Sequence, residues 1–154
     1  MEEPSSIPVV DLLPHGPEMT IIDRLISFTG NGSVAVVAVT PESKFFAGTG
    51  VPAWVGIEYM AQTIAAHAGF EARLRGEPPA IGFLLGTRLY ECAVAEFPSG
   101  ANLEIVVEKL FGESGFGSFE CSIAADEILA KAVLNTYRPG DAEVAKIRAS
   151  LGGA

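Results

Sequence analysis

The sequence predicts an α+β domain: an antiparallel sheet of about six strands wrapped around one central helix. Three observations lead there. From Val55 to Ala72 the only polar residues are Glu58, Gln62, Thr63, His67 and Glu71. A helix that lacks a solvated stripe has to be wrapped by protein. Two β-prone segments precede it and four follow it. Finally, 154 residues that are 49% apolar and 19% charged suffice for the core of one globular domain.

Taken in order, Ile7 to Met19 mixes an apolar run with prolines and predicts a short helical turn ending before Pro14. Thr20–Thr29 and Ser33–Thr40 read as strands, with Gly30-Asn31-Gly32 as their hairpin turn. Pro41–Ala53 is an irregular loop. The helix then runs to about Gly76, with Arg73 and Arg75 favouring its C-terminal dipole. Its polar interruptions exclude a membrane span. After the break at Glu77-Pro78-Pro79 come strands at Ile81–Cys92, Asn102–Phe111, Gly115–Ala125 and Ile128–Tyr137. Leu103, Ile105 and Val107 alternate with Glu104 and Glu108, a half-buried strand pattern. Gly112-Glu113-Ser114 and Asp126-Glu127 separate the last three. Residues 1–140 form the single domain, and 141–154 are a tail, a loose helix or disordered. An open sheet leaves an edge, so dimerisation by edge pairing is expected.

Composition narrows the function. A net charge of −9 argues against nucleic acid and against anionic membrane surfaces. The opening Met-Glu-Glu-Pro-Ser-Ser has neither the basic nor the apolar region of a secretory signal. Cys92 and Cys121 fit no C-x-x-C spacing, and no disulfide is expected between them. Two scattered histidines and two cysteines make no metal-ligand set.

Glu58 is the residue that demands explanation, since a carboxylate inside an apolar element needs a partner, a proton or a job. Gln62 sits one turn on, on the same face, where it can orient that carboxylate. His67 lies on the opposite face, at ~100° per residue, and reads as a core or interface histidine with Glu71 as its partner. Asp23 and Arg24 read as an ion pair at a strand edge. A carboxylate capping its own helix is the structural alternative for Glu58.

The order β-β-α-β-β-β-β around an apolar helix resembles the hotdog fold. Leu13-Pro14-His15, followed by Met19 and Ile22-Asp23-Arg24, resembles the opening motif of the 3-hydroxyacyl-carrier-protein dehydratases. Phe45-Phe46-Ala47-Gly48 and Gly56-Ile57-Glu58-Tyr59-Met60-Ala61-Gln62 are similar to that family's loop and helix motifs. The resemblance covers roughly residues 10–139. One departure matters: Thr49-Gly50-Val51-Pro52 stands where the family has a loop histidine. Dehydratase-like proteins of aryl-polyene and related polyketide clusters, which lack that histidine, are the closer resemblance.

The resemblance implies removal of water from a 3-hydroxyacyl thioester held on acyl carrier protein or coenzyme A. Such chemistry needs a base for the C2 proton, an acid for the hydroxyl, and donors for the enolate oxygen. Glu58 is one catalytic candidate, and His15, replacing the loop histidine, is the other. Backbone amides at Val55 and Gly56 would polarise the carbonyl. Phe46 and Trp54 would line an acyl tunnel, though both read equally well as core. No cofactor is implied. The expected assembly is a homodimer or dimer of dimers in the cytoplasm, and a basic cluster for carrier docking would draw on Arg73, Arg75 and Arg88. A hotdog thioesterase and a non-catalytic acyl-binding partner subunit are the competing readings.

Overall fold

The computed structural model describes residues 2–79 and 82–152, so Ile81, the expected first residue of the strand after the helix, lies outside it, as do Met1, Ala80, Gly153 and Ala154. The expected helical turn before Pro14 is the short 3-10 turn Val9–Asp11, and two others, Pro4–Ser6 and Pro17–Met19, flank it. Strands β1 (Arg24–Thr29) and β2 (Gly32–Ala38) form the first hairpin. Its turn is fixed by the Thr29 hydroxyl, which accepts N–H bonds from Asn31 at 3.2 Å and Gly32 at 3.1 Å. β1 starts later than Thr20, because the backbone at Met19 and Ile21 bonds to a helix side chain instead of to a strand.

There follow β3 (Gly50–Pro52), helix α1 (Val55–Leu74), β4 (Phe83–Cys92), β5 (Glu96–Pro98), β6 (Asn102–Glu113), β7 (Phe116–Ala125), β8 (Glu127–Tyr137) and helix α2 (Asp141–Gly152). The six long strands make one antiparallel sheet in the order β1-β2-β6-β7-β8-β4. β3 and β5 pair separately as a two-stranded ribbon beside the start of α1. The β6–β7 turn is Ser114-Gly115, both at positive φ (52° and 87°), the left-handed two-residue turn that matches strand twist. It lies one residue beyond the expected break, leaving Gly112 and Glu113 in the strand.

The concave face of the sheet carries Leu103, Ile105 and Val107 against α1, with Glu104 and Glu108 turned outward as their alternation predicts. The other faces of α1 bury Val55, Tyr59, Met60, Ala66 and Phe70. Gly69 is where the N-terminal segment crosses the helix; a Cβ there would fall on the Leu12 carbonyl. The sheet wraps α1 as expected but leaves one side uncovered. Ile57, Glu58, Ala61, Ala65, Ala68 and Glu71 form a stripe that the chain itself leaves open.

Candidate active site

Glu58 stands on the first turn of α1, solvent-exposed at the end of that open stripe. One turn on, Gln62 is only 2% exposed. Its amide oxygen accepts the Ile21 N–H at 2.9 Å, which fixes the orientation of the amide group. The nitrogen therefore faces two acceptors, the Met19 carbonyl at 2.7 Å and Glu58 Oε1 at 3.0 Å. Gln62 thus ties the segment before β1 to the helix and holds the carboxylate with its remaining proton.

Between the 3-10 turns Val9–Asp11 and Pro17–Met19 lies His15, half-buried, with Nε2 buried and without a hydrogen-bond partner among the described residues. His15, Glu58 and Gln62 all border one groove of about 550 Å³, floored by Ala61, Ala65 and Ala68. The β6–β7 turn, the end of β8 at Thr136 and Tyr137, and Arg138 just beyond it form its opposite side. No direct hydrogen bond joins His15 to Glu58 among the described residues.

Other expected site residues fall elsewhere. The Gly56 N–H is donated to Ala53 O at 3.0 Å, so it is not free to polarise a carbonyl. Gly56 is there for packing: a Cβ would meet the Tyr90 hydroxyl, which itself donates to Ala53 O. Burial raises the Tyr90 pKa, which keeps that hydroxyl a donor. Val55 is fully buried beside it. Trp54 is 61% exposed and meets Phe45 edge-on, and Phe46 packs on the core; neither borders the groove. Asp23 makes no ion pair with Arg24 but accepts the Ala38 N–H at 2.7 Å. Arg73 pairs with Glu2, and Arg75 with Glu71 and Glu77, while Arg88 lies exposed on the edge strand β4.

His67 faces away from Glu58, as its spacing requires, and is 2% exposed. Its partner is Ser33 rather than Glu71, with Oγ 2.7 Å from Nδ1. Its ring stacks on Phe28, with centroids 4.9 Å apart. Burial lowers the His67 pKa, Glu71 opposes that shift and Lys109 adds to it. No cluster of three His, Cys, Asp or Glu able to hold a metal ion occurs among the described residues, and no described helix is long and apolar enough to cross a membrane.

A single long helix gripped by a curled antiparallel sheet, with a carboxylate at its start facing a groove, defines a hotdog-fold protein. The chain belongs to the ApeP-like family, described as ApeP dehydratase, whose sequence pattern matches residues 7–147. It is similar to a chain of the dehydratase heterocomplex ApeI:P from Xenorhabdus doucetiae, with 32% identity over 92% of this chain and 97% of that one and a TM-score of 0.83. A hypothetical thioesterase with coenzyme A from Streptococcus pneumoniae is 10% identical over 75% and 84% of the two chains, TM-score 0.61. The E. coli PaaI protein of the phenylacetic acid degradation operon is 13% identical over 77% and 80%, TM-score 0.60. These last two share the fold alone. No curated protein matches the sequence significantly.

Proposed function

We propose that this dehydratase converts 3-hydroxyacyl thioesters on acyl carrier protein to trans-2-enoyl thioesters, in the cytoplasm, for fatty-acid or aryl-polyene-like polyketide synthesis. One observation carries the reading: the groove holds a carboxylate oriented by Gln62 and an unpartnered imidazole nitrogen, that of His15. In the elimination His15 Nε2 takes the C2 proton, the electron pair forms the C2–C3 double bond, and Glu58 protonates the departing C3 hydroxyl as water. Of the two amides expected to polarise the carbonyl, Gly56 is already bonded to Ala53 O, and Val55 is fully buried outside the lining of the groove. The substrate chain lies along Ala61, Ala65 and Ala68.

A dimer or dimer of dimers suits this reading. The open stripe beside Glu58 and the edge strand β4, with Leu84, Leu85 and Leu89 exposed, offer a surface for a second hotdog subunit. A second reading has support from the exposure of Glu58 and from the similar chain's membership of a heterocomplex. In it, this chain supplies Glu58 and a different partner subunit supplies the base, leaving His15 structural.

Intact-mass analysis of a 3-hydroxyacyl carrier protein tests both. Loss of one water with the chain alone, abolished in folded His15→Ala and Glu58→Ala variants, is the expected result. If water is lost only after a partner subunit is added, and His15→Ala remains active, the second reading holds. Release of free acid would mean a thioesterase.

A further inference from the structure

Glu58 stands in the first turn of a helix that begins without a side-chain cap. Trp54, at the N-cap position, makes no capping hydrogen bond among the described residues. An uncapped first turn leaves backbone donors unpaired and frays readily. Gln62 orients the carboxylate but sits one turn further in, so it does not hold the turn that carries Glu58. Ala53 holds it. Its N–H is donated to Ala95 O at 3.0 Å, and its carbonyl accepts both the Gly56 N–H, at 3.0 Å, and the hydroxyl of Tyr90 on β4. That hydroxyl fits only because residue 56 is glycine, since a Cβ there would collide with it.

Tyr90 reaches the helix because β4 is irregular at this point. Arg88 stands opposite Val133 on β8, and Glu91 opposite Lys131, so β4 takes three steps where β8 takes two. The extra residue is a β-bulge, which inverts the alternation of side chains beyond it. In a regular strand Tyr90 would share the face of the exposed Arg88. With the bulge it shares the face of Cys92, which stands opposite buried Ala130 and packs on the core. Leu89 bears the strain. Its φ of 55° lies in the left-handed region, and its side chain is 75% exposed, so no burial of its own accounts for the conformation. Strain of this kind persists where the surrounding structure enforces it, and it clusters at functional sites.

From this geometry we infer that Tyr90 is a positioning residue for Glu58, aimed at the helix by the bulge at Leu89. For its effect on rate the inference rests on the proposed dehydration. Tyr90 does not border the groove, so it acts through the backbone. Its hydroxyl fixes the Ala53 carbonyl, Ala53 and Gly56 close the first turn, and Glu58 follows two residues on. An acid that must meet a departing hydroxyl loses rate when its backbone drifts. The acyl chain, lying along Ala61, Ala65 and Ala68, binds as before.

Amide hydrogen exchange and steady-state dehydration, measured on the same variants of the assembled enzyme, test the inference. In Tyr90→Phe, exchange should quicken over residues 54–60 and nowhere else on α1. The value of kcat should fall about five- to tenfold, the worth of one neutral hydrogen bond, with KM unchanged. Leu89→Gly and Leu89→Val both remove the leucine side chain, but only glycine takes a positive φ freely. The valine variant should reproduce the faster exchange of Tyr90→Phe, and the glycine variant should exchange as the wild type does. Full kcat in Tyr90→Phe, or unaltered exchange over residues 54–60, would overturn the role of Tyr90. Equal exchange in the two Leu89 variants would overturn the role of the bulge. If the wild type removes no water from any carrier-bound chain, the proposed reaction fails, and exchange alone then decides whether Tyr90 holds the first turn.

Discussion

Replacing Gln62 with alanine removes three hydrogen bonds together, those to Ile21 N, Met19 O and Glu58 Oε1. Two of them anchor the segment before β1 to the helix. Each net bond is worth ~1 kcal/mol, and a half-buried Ile21 N–H left unpaired adds to the loss, so the cost to folding is about 2–3 kcal/mol. For a domain of this size that is a fall in Tm of roughly 4–12 °C. The third bond acts on the reaction. A hydrogen bond to a charged group is worth ~1.5–3 kcal/mol, which converts to about a ten- to hundredfold loss in rate if Glu58 must hold one orientation. The assay pairs urea unfolding with the steady-state rate of water loss from the acyl carrier protein, well below the variant's midpoint. Because Gln62 acts through Glu58, kcat should fall with KM little changed, and Gln62→Ala should cost nothing more when added to Glu58→Ala. A variant that is destabilised yet has full kcat would show that Gln62 is only a clamp on the chain, and would remove it from the catalytic argument.

Two further outcomes follow from the packing. Gly69→Ala places a methyl group on the Leu12 carbonyl, backbone against side chain with nothing flexible to yield. It should lower stability by ~3 kcal/mol or more, read from the urea midpoint, whereas Gly30→Ala meets no neighbouring atom within 4 Å and should not. His67 titrates below its ordinary value because it is buried, so the unfolded chain binds its proton more readily. Stability should therefore fall as pH drops below about 6.5 and level off beneath the depressed folded value. His67→Phe should remove that part of the pH dependence of the urea midpoint, and an unchanged profile would show that His67 does not carry it.

The elements whose pattern is local were legible in the sequence. The apolar run of α1, the alternation of β6 and the Gly-Asn-Gly turn place the main strands and helix within a few residues of where they lie. The pairing of Glu58 with Gln62 was legible for the same reason, since helix spacing alone brings them together. What escaped depends on residues distant in sequence. β3 and β5 are three residues each and both contain proline, so neither shows a period to read. The bonds that lock Gln62 come from Met19, at the end of the segment that reads as a helical turn, and from Ile21, in the segment that reads as strand. Ser33 displaced Glu71 as the partner of His67 because β2 passes under the helix, which spacing along the helix cannot reveal. Gly69 carried no turn signal, since its role is a close crossing.

Strand order also sets the route by which the chain reaches this form. The β1–β2 hairpin and the β6–β7–β8 meander are each made of neighbours joined by tight turns, and both can zip early. Joining them is another matter, because β2 docks on β6 by pairing Ala38 with Asn102, across the whole of α1 and β4. That closure loses the entropy of a long loop before its contacts repay it. The β2–β6 seam is thus the pairing expected to limit folding speed, and a hairpin and meander not yet joined there expose strand edges open to aggregation.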